Sequence, residues 1–572
     1  MMPLTHLRAE LRGAPPIIRL VFLPTLVLAT CAASPGYAQT PMGTAGPPPI
    51  GAAPAPTTMP PASTVQGPPT LRLSGSSFSG SVDISETYAT NAFGLGSAYT
   101  TANGGGDFIT TLGLNLGAHD HTVRFDGDLQ VRLVGDHYAR NSSYDRVYGY
   151  LNALATAVLV PEHFFFYGSA FAAPILVNNL GPLGADGRPV ATGPYTGTRD
   201  SYGYTISPDL KFRLGDFANS DTIVTQSSLF LVEPNAPTVT QTIPGQSPPT
   251  EFYSYGATQQ LSSGIDFNRL NWILTGSWNK STQSGLEFTQ ASGIGDLKFA
   301  LNREVALLGT FGYQSFTSNQ ALIQSLVGPV ALAGLQIILG PTFQADGRAG
   351  WRYNSPSYDG HLRYQPGPFT TLVASYDDTV TTPAGRLIGS TSQLGTDSQG
   401  GFINTTYQSN PNSPPPSIAG VTSFNSAPID GLAINNSIVR YRMASASLLY
   451  LADRTQYRLT GFRTTYDTLT AVPSGIPLQS KSTGAEFGLS RTMTPRLTGR
   501  LRANYSVEDI LGGEYNLYGG GLDLDYTVSL KTRTYLRVAY QRRDSNAALV
   551  AASPVSVSES DASIMIGLNR QF

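Results

Sequence analysis

The chain is poor in cysteine, histidine and charged residues, and each shortage excludes a class of protein. One cysteine among 572 residues excludes a disulfide framework and a cysteine-rich metal site. Six histidines leave little material for a metal centre, so we expect no cofactor. Charged residues make up only 13 % of the chain, and the net charge of −2 excludes a broadly basic protein that binds nucleic acid.

Long hydrophobic runs are also scarce. A mean hydropathy of −0.09 is too low for a bundle of membrane-spanning helices, each of which needs about 20 consecutive apolar residues. Glycine (60 residues), tyrosine (29) and phenylalanine (25) are abundant instead. This profile suits a large all-β protein of an oxidising compartment.

The first 38 residues have the pattern of a secretory signal peptide. Arg8, Arg12 and Arg19 precede an apolar run over residues 20–33, and small residues at 36–38 precede Gln39. A basic segment, a short apolar segment and a small-residue cleavage site together predict export and removal of residues 1–38. The alternative is an uncleaved membrane anchor, although the apolar run is short for that purpose.

A second alternative is a lipoprotein signal, because residues 28–31 end in Cys31 and resemble a bacterial lipobox. Thr30 departs from that pattern, which has a glycine, alanine or serine before the cysteine. If the signal is cut after Ala38, Cys31 is removed with it and the exported chain carries no cysteine.

Residues 39–76 are predicted to be a disordered periplasmic linker. Residues 39–70 contain ten prolines and no charged residue, so they cannot form a core and favour extended polyproline II structure. At about 3.1 Å per residue such a segment reaches roughly 100 Å. It is either a spacer or a tether that contacts a partner or the cell wall.

From about residue 77 the hydrophobic pattern has a period of two. Apolar and polar residues alternate over 123–133, 497–507 and 522–529. Segments of this length fit tilted membrane-spanning strands with apolar side chains outward and polar side chains inward. We therefore predict one large antiparallel transmembrane β-barrel over residues 77–572, with about 20 strands and a range of about 16 to 22. A soluble β-sandwich or propeller is the alternative fold.

The predicted connections alternate between short turns and long loops, the layout of an outer-membrane barrel with periplasmic turns and extracellular loops. Short turns are predicted near 118–120, 160–162, 215–220, 266–268, 302–303, 366–368, 452–453, 494–495 and 530–531. Loops are predicted near 91–105, 139–145, 174–200, 232–251, 318–355, 381–436, 468–481, 509–515 and 545–559.

Residues 321–339 are largely apolar and contain Pro329, so they are compatible with an extra hairpin, an interfacial helix or a plug in the lumen.

The chain ends in Phe572, preceded by alternating apolar residues, which resembles the assembly signal of outer-membrane barrels. Arg570 departs from that signal, because an apolar or aromatic residue is usual at its position.

Alternation also predicts which charges line the lumen. Opposite charges on neighbouring strands stabilise a sheet by about 0.2–1 kcal/mol per pair, so the simplest interpretation is a ladder of ion pairs. The functional alternative is a basic wall that favours entry of an anionic sugar chain. The candidate lumen charges are Arg440, Arg442, Arg454, Arg458, Arg500, Arg502, Asp523, Asp525, Arg533 and Arg537.

A group of aromatic residues flanks the predicted turn at 160–162. An aromatic girdle at the membrane interface is the first interpretation, and stacking of sugars inside the lumen is the alternative. The group comprises Tyr148, Tyr150, Phe164, Phe165, Phe166 and Tyr167.

No pattern of catalytic residues is convincing. The histidines lack metal-ligand spacing, and the serine in residues 395–401 lacks the strand–turn–helix context of a nucleophile elbow. Asp377 and Asp378 are adjacent, so on a strand they point to opposite faces. We expect no enzyme, with an outer-membrane hydrolase of scattered catalytic residues as the alternative.

Several stretches resemble the outer-membrane barrel family associated with the PEP-CTERM and exosortase system, which is found near exopolysaccharide genes. They are DFITTLGLNL (107–116), NSSYDR (141–146), LNALATAVLVPEHFFF (151–166), SYGYTISPDLKFRLGDFA (201–218), LSSGIDFNRLNW (261–272), LSRTMTPRLTG (489–499), RRDS (542–545) and the terminal GLNRQF. Their order and spacing carry the resemblance. The uncharged proline-rich N-terminal segment is a departure from the family pattern.

The resemblance implies a bacterial outer-membrane protein that works beside exopolysaccharide production or surface-protein sorting, and it supplies no catalytic residues. We expect a conduit or assembly component for exopolysaccharide export. The alternatives are a general diffusion porin and a structural or adhesive surface protein. The expected partners are outer-membrane lipid, the barrel-assembly machinery, polysaccharide and periplasmic export components.

Overall fold

A computed structural model shows a closed antiparallel barrel of 22 strands. It describes residues 75–90, 106–142, 145–176, 198–232, 251–283, 286–319, 325–381, 394–396, 402–404, 438–469, 479–510, 513–545 and 558–572. The chain divides into two compact units, residues 1–52 and 53–572, and every described residue belongs to the second. The predicted signal peptide, Cys31 and most of the proline-rich linker therefore lie outside the described residues.

Each barrel strand pairs with its neighbours in chain order, and the last strand pairs with the first. The barrel strands are β1 (Gly75–Ala89), β2 (Asp107–His121), β3 (Phe125–Tyr138), β4 (Arg146–Val160), β5 (Phe164–Leu176), β6 (Thr198–Leu214), β7 (Ala218–Val232), β8 (Glu251–Ser263), β9 (Leu270–Gln283), β10 (Leu286–Ala300), β11 (Val305–Ser318), β12 (Leu326–Leu339), β13 (Phe343–Arg352), β14 (Ser355–Gly367), β15 (Thr370–Thr381), β18 (Val439–Ala452), β19 (Thr455–Thr468), β20 (Gln479–Thr494), β21 (Leu497–Ile510), β22 (Gly513–Ser529), β23 (Thr532–Ser545) and β24 (Ser558–Gln571). Strands β16 (Leu394–Thr396) and β17 (Phe402–Asn404) pair only with each other.

This architecture confirms the predicted barrel and its strand number. At the end where β1 begins and β24 ends, every connection is short, with two to six residues, as at 122–124 and 264–269. We call this end the turn end and the opposite end the loop end. The nine predicted short turns all fall at or within a few residues of connections at the turn end.

The prediction of one long loop over residues 318–355 is wrong, because strands β12 and β13 lie within this interval. Of the alternatives for residues 321–339, the structure has the extra hairpin, which turns at residues 340–342. At the loop end β13 turns directly into β14 through Tyr353 and Asn354, whose φ angles are 51° and 59°. Such left-handed pairs close two-residue hairpins, usually with glycine in one position.

Alternation gives the barrel an apolar outer face. Strand β1 shows it plainly, since Val82 and Ile84 are exposed whereas Asp83 and Ser85 are buried on the lumen side. Exposed aromatic side chains of the outer face gather near both ends of the strands. Near the turn end they are Phe78, Phe212, Phe299, Tyr364, Tyr450, Tyr457 and Tyr526, and near the loop end Tyr88, Phe108, Tyr255, Trp278, Tyr313, Trp351, Tyr358, Tyr505, Tyr518 and Tyr540.

A closed sheet leaves no unpaired edge, and an apolar band between two aromatic belts fits a bilayer. The chain is therefore an outer-membrane β-barrel. Among the described residues, none belongs to a helix with the length and apolarity that a membrane crossing requires.

The closing strands bring the two ends of the barrel sequence together. Strand β1 begins at Gly75, two residues before the predicted boundary, and pairs with β24 from Ser81 to Ala89. The backbone N–H of Phe572 donates to the carbonyl oxygen of Gly80 at 3.0 Å. A Cβ at Gly80 would lie 2.4 Å from Cε2 of Phe572, so only glycine allows this ring to rest against β1.

Candidate functional site

The lumen wall formed by β21, β22 and β23 carries alternating charges. Asp523 lies 3.9 Å from Arg502 and 3.8 Å from Arg537, measured between side-chain oxygen and nitrogen. Arg500 forms an ion pair with Asp525 on the same face. These residues form a ladder in which each guanidinium has a carboxylate nearby.

The other candidate lumen charges are more dispersed. Arg458 and Arg533 lie on the lumen face, Arg533 being exposed, and Arg454 lies in the turn between β18 and β19. Arg440 and Arg442 were predicted to face the lumen, and this is wrong. They alternate with the lumen-facing residues of β18 and share the face of Leu448, which is the outer face. The alternation pattern assigns both residues to the lumen because it considers only the polarity of each residue. It does not report the path of the strand, which determines what each face contacts.

The six predicted girdle aromatics divide between the two faces of the sheet. Phe164 and Phe166 face outward beside the turn at 161–163, as a girdle requires. Phe165 and Tyr167 alternate with them and face the lumen, where the Lys211 ammonium lies 5.3 Å from the Phe165 ring centre.

Tyr148 and Tyr150 lie in the loop-end half of β4, far from that turn, and pack on Val134 inside the lumen. The girdle interpretation is wrong for the four lumen-facing aromatics, because strand alternation turns every second side chain inward.

The strongest departure from a simple barrel is at the loop end of β15 and β18. Residues 438–441 are four consecutive buried residues, of which Ile438 and Val439 are fully buried. A strand in a membrane barrel has one face toward the lipid, so burial on both faces means that this part lies inside the wall. We call residues 378–381 of β15 and 438–441 of β18 the inner strand pair.

One face of the inner strand pair contacts the far side of the barrel. Val439 and Tyr441, with Tyr466 of β19, form a buried apolar cluster with residues of β5, β7 and β8. The latter are Phe171, Leu229, Leu231 and Phe252. Strands β5 to β8 and β18 to β19 lie on opposite sides of the 22-strand ring, so this central cluster joins opposite walls across the lumen.

The other face of the inner strand pair contacts the lumen side of β10 and β11. Val380 and Ile438 form a second buried cluster with Phe288 and Phe316, which we call the side cluster. Tyr353, in the turn between β13 and β14, packs against this side cluster, and burial raises the pKa of its phenol to about 12. The two clusters together sandwich the inner strand pair at the loop end of the lumen.

The inward course of β15 splits the barrel wall. The β14–β15 ladder runs only as far as the pair Gly360 and Tyr376, whereas β14 continues to Ser355 and β15 to Thr381. Among the described residues, the loop-end parts of these two strands share no ladder pair. We call this opening in the ladder the seam.

Buried polar side chains join the two sides of the seam. The Arg440 guanidinium forms an ion pair with the carboxylate of Asp378, with Nε to Oδ1 at 2.8 Å. The hydroxyl of Ser357 donates to Oδ2 of Asp378 at 2.8 Å, and Arg352 Nη1 donates to the Asp378 carbonyl oxygen at 2.6 Å. Arg440 also donates to the carbonyl oxygen of Pro356, so side chains replace the missing backbone ladder.

Just below the seam, three strands bring a histidine and carboxylates together. His361 of β14 lies 3.1 Å from Asp346 of β13 and 3.6 Å from Asp377 of β15. Ligand-type atoms of Asp346, Asp359 and His361 all lie within 4.8 Å of one another. A similar group, His119 with Asp126 and Asp128, lies at the turn end.

Sequence patterns missed both the inner strand pair and this histidine group. The sequence signal for the inner strand pair is a break in alternation near the loop end, as in the apolar run 229–232 and at residues 438–439. The sequence signal for the histidine group is the two-residue spacing of Asp359 and His361, which puts both side chains on one face of a strand. Asp346 and Asp377 join them only through strand register, which the sequence does not display.

Comparison with known proteins finds similarity of fold at low sequence identity. The siderophore receptor PirA from Acinetobacter baumannii is 9 % identical with a TM-score of 0.46, over 88 % of this chain and 81 % of that chain. The siderophore receptor PirA from Pseudomonas aeruginosa is 11 % identical with a TM-score of 0.40, over the same shares. The FrpB iron transporter from Neisseria meningitidis is 9 % identical with a TM-score of 0.38, over 86 % and 81 %.

Neither a protein-family model nor a curated protein matches the chain. Similarity at this level carries no argument about what the chain binds or moves.

Proposed function

We propose that this outer-membrane barrel is a gated conduit for exopolysaccharide, closed at its loop end by the inner strand pair. The observation that carries the proposal is the central cluster, in which Tyr441 and Tyr466 meet Leu229 and Phe252 of the opposite wall. A general diffusion porin needs a permanently open lumen. Joined walls at the loop end favour a conduit that opens only for its substrate.

The chemistry of the lumen supports a sugar polymer as the substrate. Paired arginines and aspartates offer hydrogen-bond donors and acceptors side by side, and the pairing limits the net field of the wall. Hydroxyl pairs such as Ser277 with Ser292 (2.7 Å) and Ser447 with Thr460 (2.9 Å) add both functions on other strands. Sugar hydroxyls donate and accept in the same way, so they can exchange with these contacts as the chain moves.

The resemblance to the family found near exopolysaccharide genes supports the same substrate class. On this proposal the barrel moves the polymer without chemical change, and periplasmic export components deliver it to the turn end. The barrel-assembly machinery inserts the protein into outer-membrane lipid.

The test is deletion of the gene in its native host, followed by measurement of polysaccharide in the medium and in the periplasm. The proposal predicts that external polymer falls and that periplasmic polymer rises, and that the wild-type gene restores both. An unchanged external yield would contradict it. If the yield stays normal and attachment to surfaces is lost, the structural or adhesive role replaces the conduit.

A further inference from the structure

The group around His361 lies where the β14–β15 ladder ends. His361 is the second residue of β14 within that ladder, opposite Ser375, and Asp359 lies just beyond the ladder's last pair. Asp377 follows Tyr376 on β15 and is likewise beyond it. The imidazole therefore sits between two strands that separate immediately above it.

Strand register sets the geometry of the group. Asp346 of β13 is directly opposite His361, and Asp359 shares the lumen face with His361 because the two are two residues apart. His361 Nδ1 lies 3.1 Å from Asp346 and 3.8 Å from Asp359, whereas Nε2 lies 3.6 Å from Asp377. Three carboxylates thus converge on both nitrogens of one imidazole.

Three basic side chains lie near these carboxylates. Arg348 is opposite Asp359 in the register, and its guanidinium forms an ion pair with Asp296 at 3.1 Å. Lys298 is a second cation whose charge interacts with Asp346. His361 itself adds a positive charge only when it is protonated.

A separate observation on the neighbouring strand points to a missing ligand. Gln336 of β12 is directly opposite Asp346 and faces the lumen, with only 2 % of its surface exposed. Its side-chain oxygen Oε1 is buried without a hydrogen-bond partner among the described residues. A buried amide oxygen without a partner destabilises the fold, and a bound cation would satisfy it.

We propose that Asp346, Asp359 and His361 Nδ1 bind a divalent cation of the first transition row, with the Gln336 side-chain oxygen as a further ligand and Asp377 orienting the imidazole from its Nε2 side. Carboxylate oxygens and one imidazole nitrogen suit Zn²⁺ and Mn²⁺ better than a purely oxygen-ligated ion such as Ca²⁺. The cation would link β13 to β14, and the contact of His361 Nε2 with Asp377 would extend this link to β15 at the base of the seam.

The test is titration of Zn²⁺ into the full chain, folded in detergent, by isothermal titration calorimetry. We expect one site per barrel, weakened about 100-fold or more in Asp346→Asn and in His361→Gln. Asp377→Asn is expected to weaken it less, because Asp377 contacts the opposite ring nitrogen. Heat-dependent migration in detergent gels shows whether each variant is folded.

The matched control is His119→Gln, which alters the similar histidine group at the turn end and is expected to leave the site intact. Two outcomes would overturn the proposal: no Zn²⁺ binding to the wild-type barrel, or binding of unchanged affinity in His361→Gln. Neither outcome bears on polymer export, so failure here is distinguishable from failure of the proposed function.

Discussion

Strands β18 and β19 carry two tyrosine pairs whose surroundings differ completely. Tyr450 and Tyr457 are cross-strand partners near the turn end, with ring centres 6.0 Å apart and about two fifths of each residue exposed on the outer face. Tyr441 and Tyr466 are partners near the loop end, with ring centres 4.9 Å apart, and are 8 % and 1 % exposed. The same residue type faces the membrane interface in one pair and joins opposite walls of the barrel in the other.

This barrel therefore has two kinds of interior. Its middle and turn end keep the expected lumen of paired charges, as in the ladder around Asp523. At its loop end the inner strand pair places two apolar clusters inside the lumen. Permeability should therefore depend on the loop-end contacts, whereas stability should depend on the charge ladder.

The largest effect is expected from a charge placed in the central cluster. Leu229→Asp puts a carboxylate where the leucine is 1 % exposed, and burying an unpaired charge there costs several kcal/mol. A penalty of about 3 kcal/mol shifts the closed-to-open ratio by a factor of about 100. Cells with this variant should take up a large hydrophilic dye that wild-type cells exclude.

The matched control is Leu229→Met, which keeps an apolar side chain of similar volume and should leave dye exclusion intact. A folded Leu229→Asp barrel that excludes the dye as well as the wild type would show that the central cluster does not close the lumen.

A smaller effect, on stability alone, is expected from the charge ladder. Asp523→Asn removes the charge that Arg502 and Arg537 share, in a place where these side chains are largely buried. Breaking such a buried pair should lower the free energy of unfolding by about 3 kcal/mol, measured by guanidinium unfolding in lipid vesicles. Dye uptake should stay at the wild-type level.

Asp509→Asn on β21 is the control, because Asp509 is exposed and its loss should change the free energy of unfolding by less than about 0.5 kcal/mol. Equal effects of the two substitutions would show that the ladder contributes nothing beyond surface charge.

The smallest effect concerns the loop between β3 and β4. The Tyr138 backbone N–H donates a hydrogen bond to the Asp145 carboxylate at 2.8 Å, and the His137 imidazole lies 2.7 Å from the same carboxylate. The first contact mainly, and the second to a lesser extent, hold the pKa of the Asp145 carboxyl below its usual value. A lowered folded pKa means that the contact stabilises the fold above the unfolded pKa and that this is lost as pH falls through the folded pKa.

Asp145→Asn should therefore lower Tm slightly at about pH 6, and the difference from the wild type should shrink toward about pH 2. A difference in Tm that is constant over this range would contradict the assignment of the effect to the carboxylate charge.

The barrel itself was predictable from the sequence because lipid imposes a simple rule. Outward apolar and inward polar side chains must alternate along each strand, and this pattern is plain in residues 123–133. The rule fails where both faces of a strand meet protein or are apolar. Strand β12 has Val330 and Leu332 toward the lumen and Val327 and Leu335 outward, so the period of two vanishes there.

The inner strand pair and the histidine group escaped prediction for a different reason. Arg440 shares a face of β18 with Leu448, yet it binds Asp378 inside the wall because the strand itself turns inward. His361 and Asp346 are opposite each other only because β13 and β14 pair in one particular register. Both features depend on contacts between distant segments, which local patterns do not report.

The most direct test of the account is single-channel conductance of the full chain in a planar bilayer. We compare the wild type with the double variant Tyr441→Ala/Tyr466→Ala and with the outer-face control Tyr450→Ala/Tyr457→Ala. We expect no steady conductance for the wild type and the control, and steady conductance for the central-cluster variant. A large, steady conductance of the wild-type barrel would contradict closure by the inner strand pair.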